Sequence, residues 1–412
     1  MADIPPEIIE IFVLYLHEDI SARHTHLARC CLVSRSWYTI AQPLLFSVIK
    51  IATGESDRQD IKSDPWTIPT FINTLEESPH IQNFVHSLSI EVKGATSLQP
   101  LLRLLKELHR LRLFFSHYAP PSKFHPDYFL CVHDVFRSDR FTSLSLTTIR
   151  DFPVGVFSHC VALQELALSR VTFASLDADP PPRSSTGPKP QLHTLVIFSI
   201  LNEEISILPW LTNPSNPLDV SKLKTFLAMD RSDSVSIHRT VCKFASFVSS
   251  SLEVLLIDSP IDNEPSGILQ VDEFMNLRTI MLWLFQDFED SINMLPPIID
   301  ILRRLPNPRI LEEVELLCEF PESEYQDASL LSFEDMVTQG WSEFDTLLTS
   351  SGFHNLGLVK LTVYNVAHGL TGQNYIDRFT SGLSALSESG KLCIETTKVD
   401  HYVSSQKQIW FT

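Results

Sequence analysis

Glycine is scarce in this sequence, twelve in 412 residues, and none of it builds a phosphate-cradling loop or a G-x-S-x-G nucleophile elbow. A zinc-protease helix is missing as well: His17-Glu18 opens like H-E-x-x-H, but Ser21 stands where the second histidine belongs. Cysteine is sparse and odd in number, seven at positions 30, 31, 131, 160, 242, 318 and 393, with no C-x-x-C spacing. That count argues against a disulfide framework and a structural zinc site, and the thiols are expected to be reduced. Basic residues are few: 32 Lys and Arg face 50 Asp and Glu, for a net charge of -18 and a pI near 5.2. Phosphate backbones and anionic membranes would be repelled, so neither nucleic acid nor membrane is an expected partner. Apolar runs such as Ile280 to Phe285 are far short of the ~20 residues of a membrane span. The start carries Asp3 and Pro5-Pro6 rather than the basic and apolar regions of a signal peptide. The only glycosylation match, Asn213-Pro214-Ser215, is blocked by its proline. Together these absences lead us to expect a cytoplasmic or nuclear protein without catalytic residues, cofactor or metal.

What is present is ordinary globular material. Hydrophobic residues make up 44% and charged residues 20% of the chain, enough to bury a large interior. Eleven acids and no Lys or Arg fall between Ile310 and Val359, which reads as a solvated acidic face or a dock for a basic partner. Fifteen histidines invite a metal search. The densest cluster, His17, His24, His26, Cys30 and Cys31, is better read as helix surface and core, because Cys31 falls on an apolar face.

From Asp3 to Phe46 the pattern is helical. Pro5-Pro6 suits a first helical turn, and Ile8, Ile9, Ile11, Phe12, Tyr15 and Leu16 then spread apolar surface over more than one stripe. Such a helix needs neighbours on two sides. A second apolar face follows at Leu27, Ala28, Cys31, Leu32 and Val33. Ser34 can cap a third helix carrying Trp37 and Ile40, which is expected to stop before Pro43.

Beyond Lys50 one shape recurs, an apolar residue followed three and five positions later by two more. It runs through Val85-x-x-Leu88-x-Ile90, Leu108-x-x-Leu111-x-Leu113, Phe141-x-x-Leu144-x-Leu146, Leu163-x-x-Leu166-x-Leu168 and Leu192-x-x-Leu195-x-Ile197. It continues in Leu223-x-x-Phe226-x-Ala228, Leu252-x-x-Leu255-x-Ile257, Leu277-x-x-Ile280-x-Leu282, Leu311-x-x-Val314-x-Leu316 and Leu358-x-x-Leu361-x-Val363. Alternation points the last two side chains of each segment inward from a short strand, and no such unit buries its apolar side without the next. The expected fold is α/β, an irregular solenoid with a curved parallel sheet and covering helices such as Leu98 to Leu108 and Ile298 to Leu305. Residues 1–50 form the helical module, 51–80 a hinge and first helical cap, and 81–412 the repeats. Asp177 to Pro190, Thr212 to Ser221 and Ser259 to Gly267 read as loops.

The repeats resemble leucine-rich repeats, although the Asn or Cys of regular repeats is replaced at every unit, for example by Ile149, Val171 and Glu319. Ile4-Pro5-Pro6-Glu7-Ile8-Ile9-Glu10-Ile11, Tyr15-Leu16, Cys30-Cys31-Leu32-Val33-Ser34-Arg35-Ser36-Trp37 and Leu44-Leu45-Phe46 resemble an F-box. The combination is similar to F-box-like proteins of mushroom-forming fungi. That resemblance implies a substrate-recognition subunit of an SCF-type, cullin-RING ubiquitin ligase. It implies docking on a Skp-type adaptor through Ile4, Pro5, Ile8, Ile9, Phe12, Leu16, Leu32, Val33 and Trp37, and an unidentified protein target held on the solenoid. The alternatives are a leucine-rich-repeat binding scaffold whose helices only cap it, and a hydrolase assembled from scattered residues.

Overall fold

The computed structural model describes residues 4–18, 23–51, 66–92, 98–115, 134–174, 189–198, 207–214, 216–229, 235–258, 269–285, 295–319, 340–364 and 372–397. The chain is mixed α/β and falls into two compact units, residues 1–165 with 171–190, and residues 166–170 with 191–412.

The first unit opens with helices α1 (Pro6–Glu18), α2 (Arg23–Cys31) and α3 (Arg35–Ser47). Strands β1 (Val48–Ile51), β2 (Ser87–Val92), β3 (Arg110–Phe115) and β4 (Ser143–Pro153) follow as parallel neighbours in chain order. Parallel neighbours need a crossover. Two of them contain α4 (Ile68–Glu77) and α5 (Gln99–Leu104). Strand β5 (Glu165–Ala174) has its middle in the second unit and its ends in the first.

In the second unit β6 (Thr194–Phe198), β7 (Thr225–Met229), β8 (Val254–Asp258), β9 (Thr279–Phe285), β10 (Glu313–Glu319), β11 (Leu358–Tyr364) and β12 (Leu392–Thr397) again pair in parallel and in order. Between them lie α6 (Ile207–Thr212), α7 (Val235–Val248), α8 (Leu295–Arg303), α9 (Trp341–Thr349), α10 (Gly372–Gly382) and α11 (Ser384–Glu388).

The recurring apolar triplets generate this order. Leu88, Leu111 and Leu144 stand in one register row, and Leu195, Phe226, Leu255, Ile280 and Val314 in another, all fully buried. The leading residues Val85, Leu108, Phe141, Leu223 and Leu311 are buried too. In eight units the residue after the leading position supplies a carbonyl that accepts two amide protons from the next unit. His86 O takes His109 N at 2.9 Å and Arg110 N at 3.0 Å, and Lys224 O takes Glu253 N at 2.8 Å and Val254 N at 2.9 Å. His109, Thr142, His193, Glu253, Arg278 and Glu312 accept in the same way. Midway along β4 and β5, Thr148 and Arg170 adopt positive φ, 58° and 55°, and the next residues, Ile149 and Val171, are buried. Apolar residues thus fill the corner where regular repeats place Asn or Cys.

Several expectations are corrected. Val314 pairs with Val359 and Leu316 with Leu361, so the tenth triplet is Leu356-x-x-Val359-x-Leu361, two residues earlier than read from the sequence. Leu356 is 1% exposed, whereas Leu358 sits half-buried on the other face. Helix α3 runs through Pro43 instead of stopping before it. The proline removes a bond to the Thr39 carbonyl at an exposed turn, while Leu44 and Leu45 pack into the helical core and hold the last turn in place. The segment after Thr212 is packed, not a free loop: Asn216 is buried, donates to Trp210 O and accepts from Leu218 N. Residues 177–188 and 259–267 of the other expected loops lie outside the described residues.

The acidic stretch is not simply a solvated face. Asp345 is buried and accepts from Ala385 N and Leu386 N at 2.9 and 2.8 Å, holding the start of α11. Glu315 is also buried. It accepts from Thr362 Oγ1 at 3.1 Å and lies 3.3 Å from Lys360 Nζ, which reaches Glu395 at 3.1 Å. Burial works against the Lys360 ammonium, yet Glu315 and Glu395 outweigh it and raise its pKa above the ordinary lysine value.

Beside this network the second face of the strands is apolar. Val196, Leu227, Leu256 and Met281 lie in register and cluster with Ala167, Phe198 and Leu317, all buried. Those strands are covered on both faces, as parallel strands commonly are.

Lys360→Met is expected to cost roughly 3 kcal/mol, because it strands a buried carboxylate without its cation. Replacing Glu315 and Lys360 together by Met should recover most of that loss. Urea unfolding of the two single variants and the double variant measures the coupling. Lys360 has a raised folded pKa, so its contribution should be full below ~10.4 and fade as pH rises through the folded value.

Candidate functional site

The helical segment carries two apolar surfaces. Helix α1 starts where the prolines place it, with Ile8 N and Ile9 N both donating to Pro5 O, at 3.0 and 3.2 Å. Ser34 caps α3, its hydroxyl accepting from Trp37 N at 3.5 Å. One face of α1 presents Ile9 and Val13 to Leu27 and Cys30 of α2 and Ala41 of α3. Leu16, Cys31, Trp37, Ile40, Leu44 and Leu45 pack around that centre.

The other face is in water. Ile4, Ile8, Ile11 and Tyr15 recur at spacings of four, three and four, and with Phe12 they are about half exposed or more. In the turn between α2 and α3, Leu32 is 87% and Val33 62% exposed. Phe12 meets Trp37 edge-on at a ring distance of 5.6 Å, which ties α1 to α3.

Of the residues expected to dock an adaptor, Ile4, Pro5, Ile8, Phe12, Leu32 and Val33 are exposed. Trp37 and Leu16 are half-buried, with edges reaching both the inner core and solvent. Ile9 is 2% exposed and belongs to the interior, so its side chain supports the surface without forming it. Ile11, Leu14, Tyr15 and Tyr38 join the exposed set without having been singled out. Ile11 and Tyr15 were detectable as the continuation of the Ile4 and Ile8 spacing.

The surface has charged neighbours of both signs. Glu7 and Glu10 are exposed on α1, and Arg29 and Arg35 are exposed on either side of Leu32 and Val33. Burial raises the pKa of the Cys30 and Cys31 thiols, and the Cys30 charge adds to the rise at Cys31, so both stay protonated at neutral pH. Among the described residues no group of histidines, cysteines and acids is arranged to hold a metal ion. No described helix is long and apolar enough to cross a membrane.

Helix α3 also reaches the segment between β1 and β2. Gln42, 7% exposed, contacts Tyr38 Oη at 2.5 Å and His80 Nε2 at 3.2 Å, and Phe46 stacks near Trp66, which meets Phe71. β1 then follows α3 without a linker, through a unit read as Phe46-x-x-Ile49-x-Ile51.

Ile9→Ala should destabilise the chain by about 2–4 kcal/mol, as large-to-small core substitutions do, whereas Ile8→Ser on the outer face should change stability by under ~0.5 kcal/mol. Denaturant midpoints of the two variants test that division of the helix. No protein-family model matches the chain, and no curated protein is significantly similar to it.

Proposed function

We propose that the chain is a substrate-recognition subunit of an SCF-type ubiquitin ligase, acting by proximity and not by chemistry. In this reading the outer face of α1 and the turn between α2 and α3 dock a Skp-type adaptor, and a leucine-rich-repeat-like solenoid holds a protein target in the cytoplasm or nucleus. The observation that carries it is the distribution of exposed apolar side chains. Of twelve large hydrophobics exposed among the described residues, nine lie between Ile4 and Tyr38. Such concentration marks contact surfaces. The F-box-like order of Ile4-Pro5, Leu32-Val33 and Trp37 gives that surface its proposed partner. Holding a target beside a ligase raises its effective concentration there without adding any catalytic group.

A second reading has its own support. The contacts from Gln42 to His80 and from Phe46 to Trp66, in the segment between β1 and β2, support a reading of α3 as a terminal cap, since repeat arrays need a terminal unit that closes the core. Capping uses the inner side of α3, however, and leaves the outer face of α1 without a role.

The test is co-purification of the whole chain with Skp-type adaptors of its own organism. Ile8→Glu and Leu32→Asp change exposed positions and should leave melting temperature nearly unchanged. Each is expected to weaken adaptor binding by ~2 kcal/mol or more, roughly thirtyfold, as loss of an interface anchor does. Failure of the wild-type chain to bind any adaptor would leave the capping role alone. Normal binding by both folded variants would move the contact elsewhere on the module.

A further inference from the structure

Helix α3 divides its surface between two neighbours. Trp37, Ile40, Ala41, Leu44 and Leu45 pack with the core of the helical module. Tyr38, Gln42 and Phe46, spaced by four, form a separate stripe, and its last two members meet the segment between β1 and β2.

Those contacts are spread along the helix. At its end Ser47 O accepts from His86 N at 3.1 Å, just before β2. Phe46 lies 6.3 Å from Trp66, which meets Phe71 of α4 edge-on at 5.2 Å. One turn earlier, the Gln42 amide reaches Tyr38 Oη at 2.5 Å and His80 Nε2 at 3.2 Å, in the turn Pro79–Phe84. A helix joined to a strand through its last residue alone can swing about that junction. Contacts further up α3, made to residues distant in sequence, remove the swing.

Gln42 adds direction to this junction. It is 7% exposed, and a buried amide costs stability unless its hydrogen bonds are kept. They are kept only in one orientation of α3 against the turn, whereas two apolar rings tolerate sliding. Tyr38 connects the same group to the outside, because its ring belongs to the exposed apolar set while its hydroxyl is held by Gln42.

We propose that Gln42 is a positioning residue that locks the helical module to the first strands, so that α1, α2 and α3 keep one fixed orientation to β1, β2 and α4. The lock does not depend on what docks. Its consequence rests on the adaptor reading: the ligase and the start of the solenoid stand at a set angle, which a freely swinging module could not provide.

Pulsed electron spin resonance on the whole chain tests it, with spin labels carried by non-natural residues at the exposed positions Glu10 and Glu77. The otherwise unsubstituted chain should give a single narrow distance distribution. Gln42→Ala should replace it by a broad one, and Gln42→Glu should restore it, since Tyr38 and His80 can both donate to a carboxylate. His80→Ala should broaden it as Gln42→Ala does, and the two changes together no more than either alone. Leu348→Ala, in the core of the second unit, lowers stability without touching the lock and should leave the distribution narrow. A broad or two-peaked distribution in the unsubstituted chain overturns the proposal and makes the junction a hinge. So does an unchanged width in both Gln42→Ala and His80→Ala, or equal broadening by Leu348→Ala. Should Gln42→Ala fail to fold, His80→Ala at its exposed position carries the same decision. Failure to bind any adaptor would remove the partner and leave these distances as they are, so the two failures are distinguishable.

Discussion

A short parallel strand cannot satisfy itself. It has polar groups on both edges and an apolar face too small to bury alone, and both deficits are met by the strand that follows. Here the meeting point in eight of the units is a single carbonyl, such as His86 O or Lys224 O, which accepts two successive amide protons from the next strand. That bifurcated contact sets where the next strand enters. Once entry is set, alternation puts Leu111 against Leu88 and Leu255 against Phe226 without further adjustment. The side chains beside this backbone ladder interact too. His86 stacks on His109, Lys224 pairs with Glu253, and Arg278 pairs with Glu312. These are exposed contacts of small energy, so they decorate the ladder and do not hold it.

This constraint explains what could be read from the amino-acid sequence. Leading residues such as Leu108 and Leu252 are large, apolar and regularly placed, so nine of ten expected segments have the correct frame. The frame slipped at β11 because Leu356, Leu358, Val359, Leu361 and Val363 offer two overlapping triplets, and only pairing with β10 selects one. β1 escaped notice because Phe46 ends a helical pattern, although Phe46-x-x-Ile49-x-Ile51 fits the template. β12 escaped because the equivalent leading position is Ser389, while Ile394 still pairs with Leu361. Buried charges were illegible for a different reason. Glu315 and Asp345 look like their solvated neighbours, and the partners that make them interior lie 45 and 41 residues away at Lys360 and Leu386.

The exposed helical surface was legible in outline and not in detail. Periodicity showed that α1 has more apolar residues than one stripe can hold, but Ile8 and Ile9 are adjacent letters with opposite fates, 55% and 2% exposed. The deciding fact is which turn of the helix meets Leu27 and Cys30, and that depends on how α2 crosses α1. Motif order alone grouped Ile9 with the surface. Its helical phase, shared with Val13 and Leu16, groups it with the interior.

Nine large apolar side chains in water would ordinarily favour self-association, and the chain counters it with charge. A net charge of -18 repels other copies over about one Debye length, ~8 Å at physiological ionic strength, and that is enough to discourage encounters between like molecules. A partner whose groove offers basic groups to Glu7 and Glu10, and acidic groups to Arg29 and Arg35, meets no such barrier at contact range. Solubility and docking therefore act at different distances. Long-range repulsion protects the surface from its own copies, and short-range complementarity with the charges beside Ile8 and Leu32 decides what may cover it.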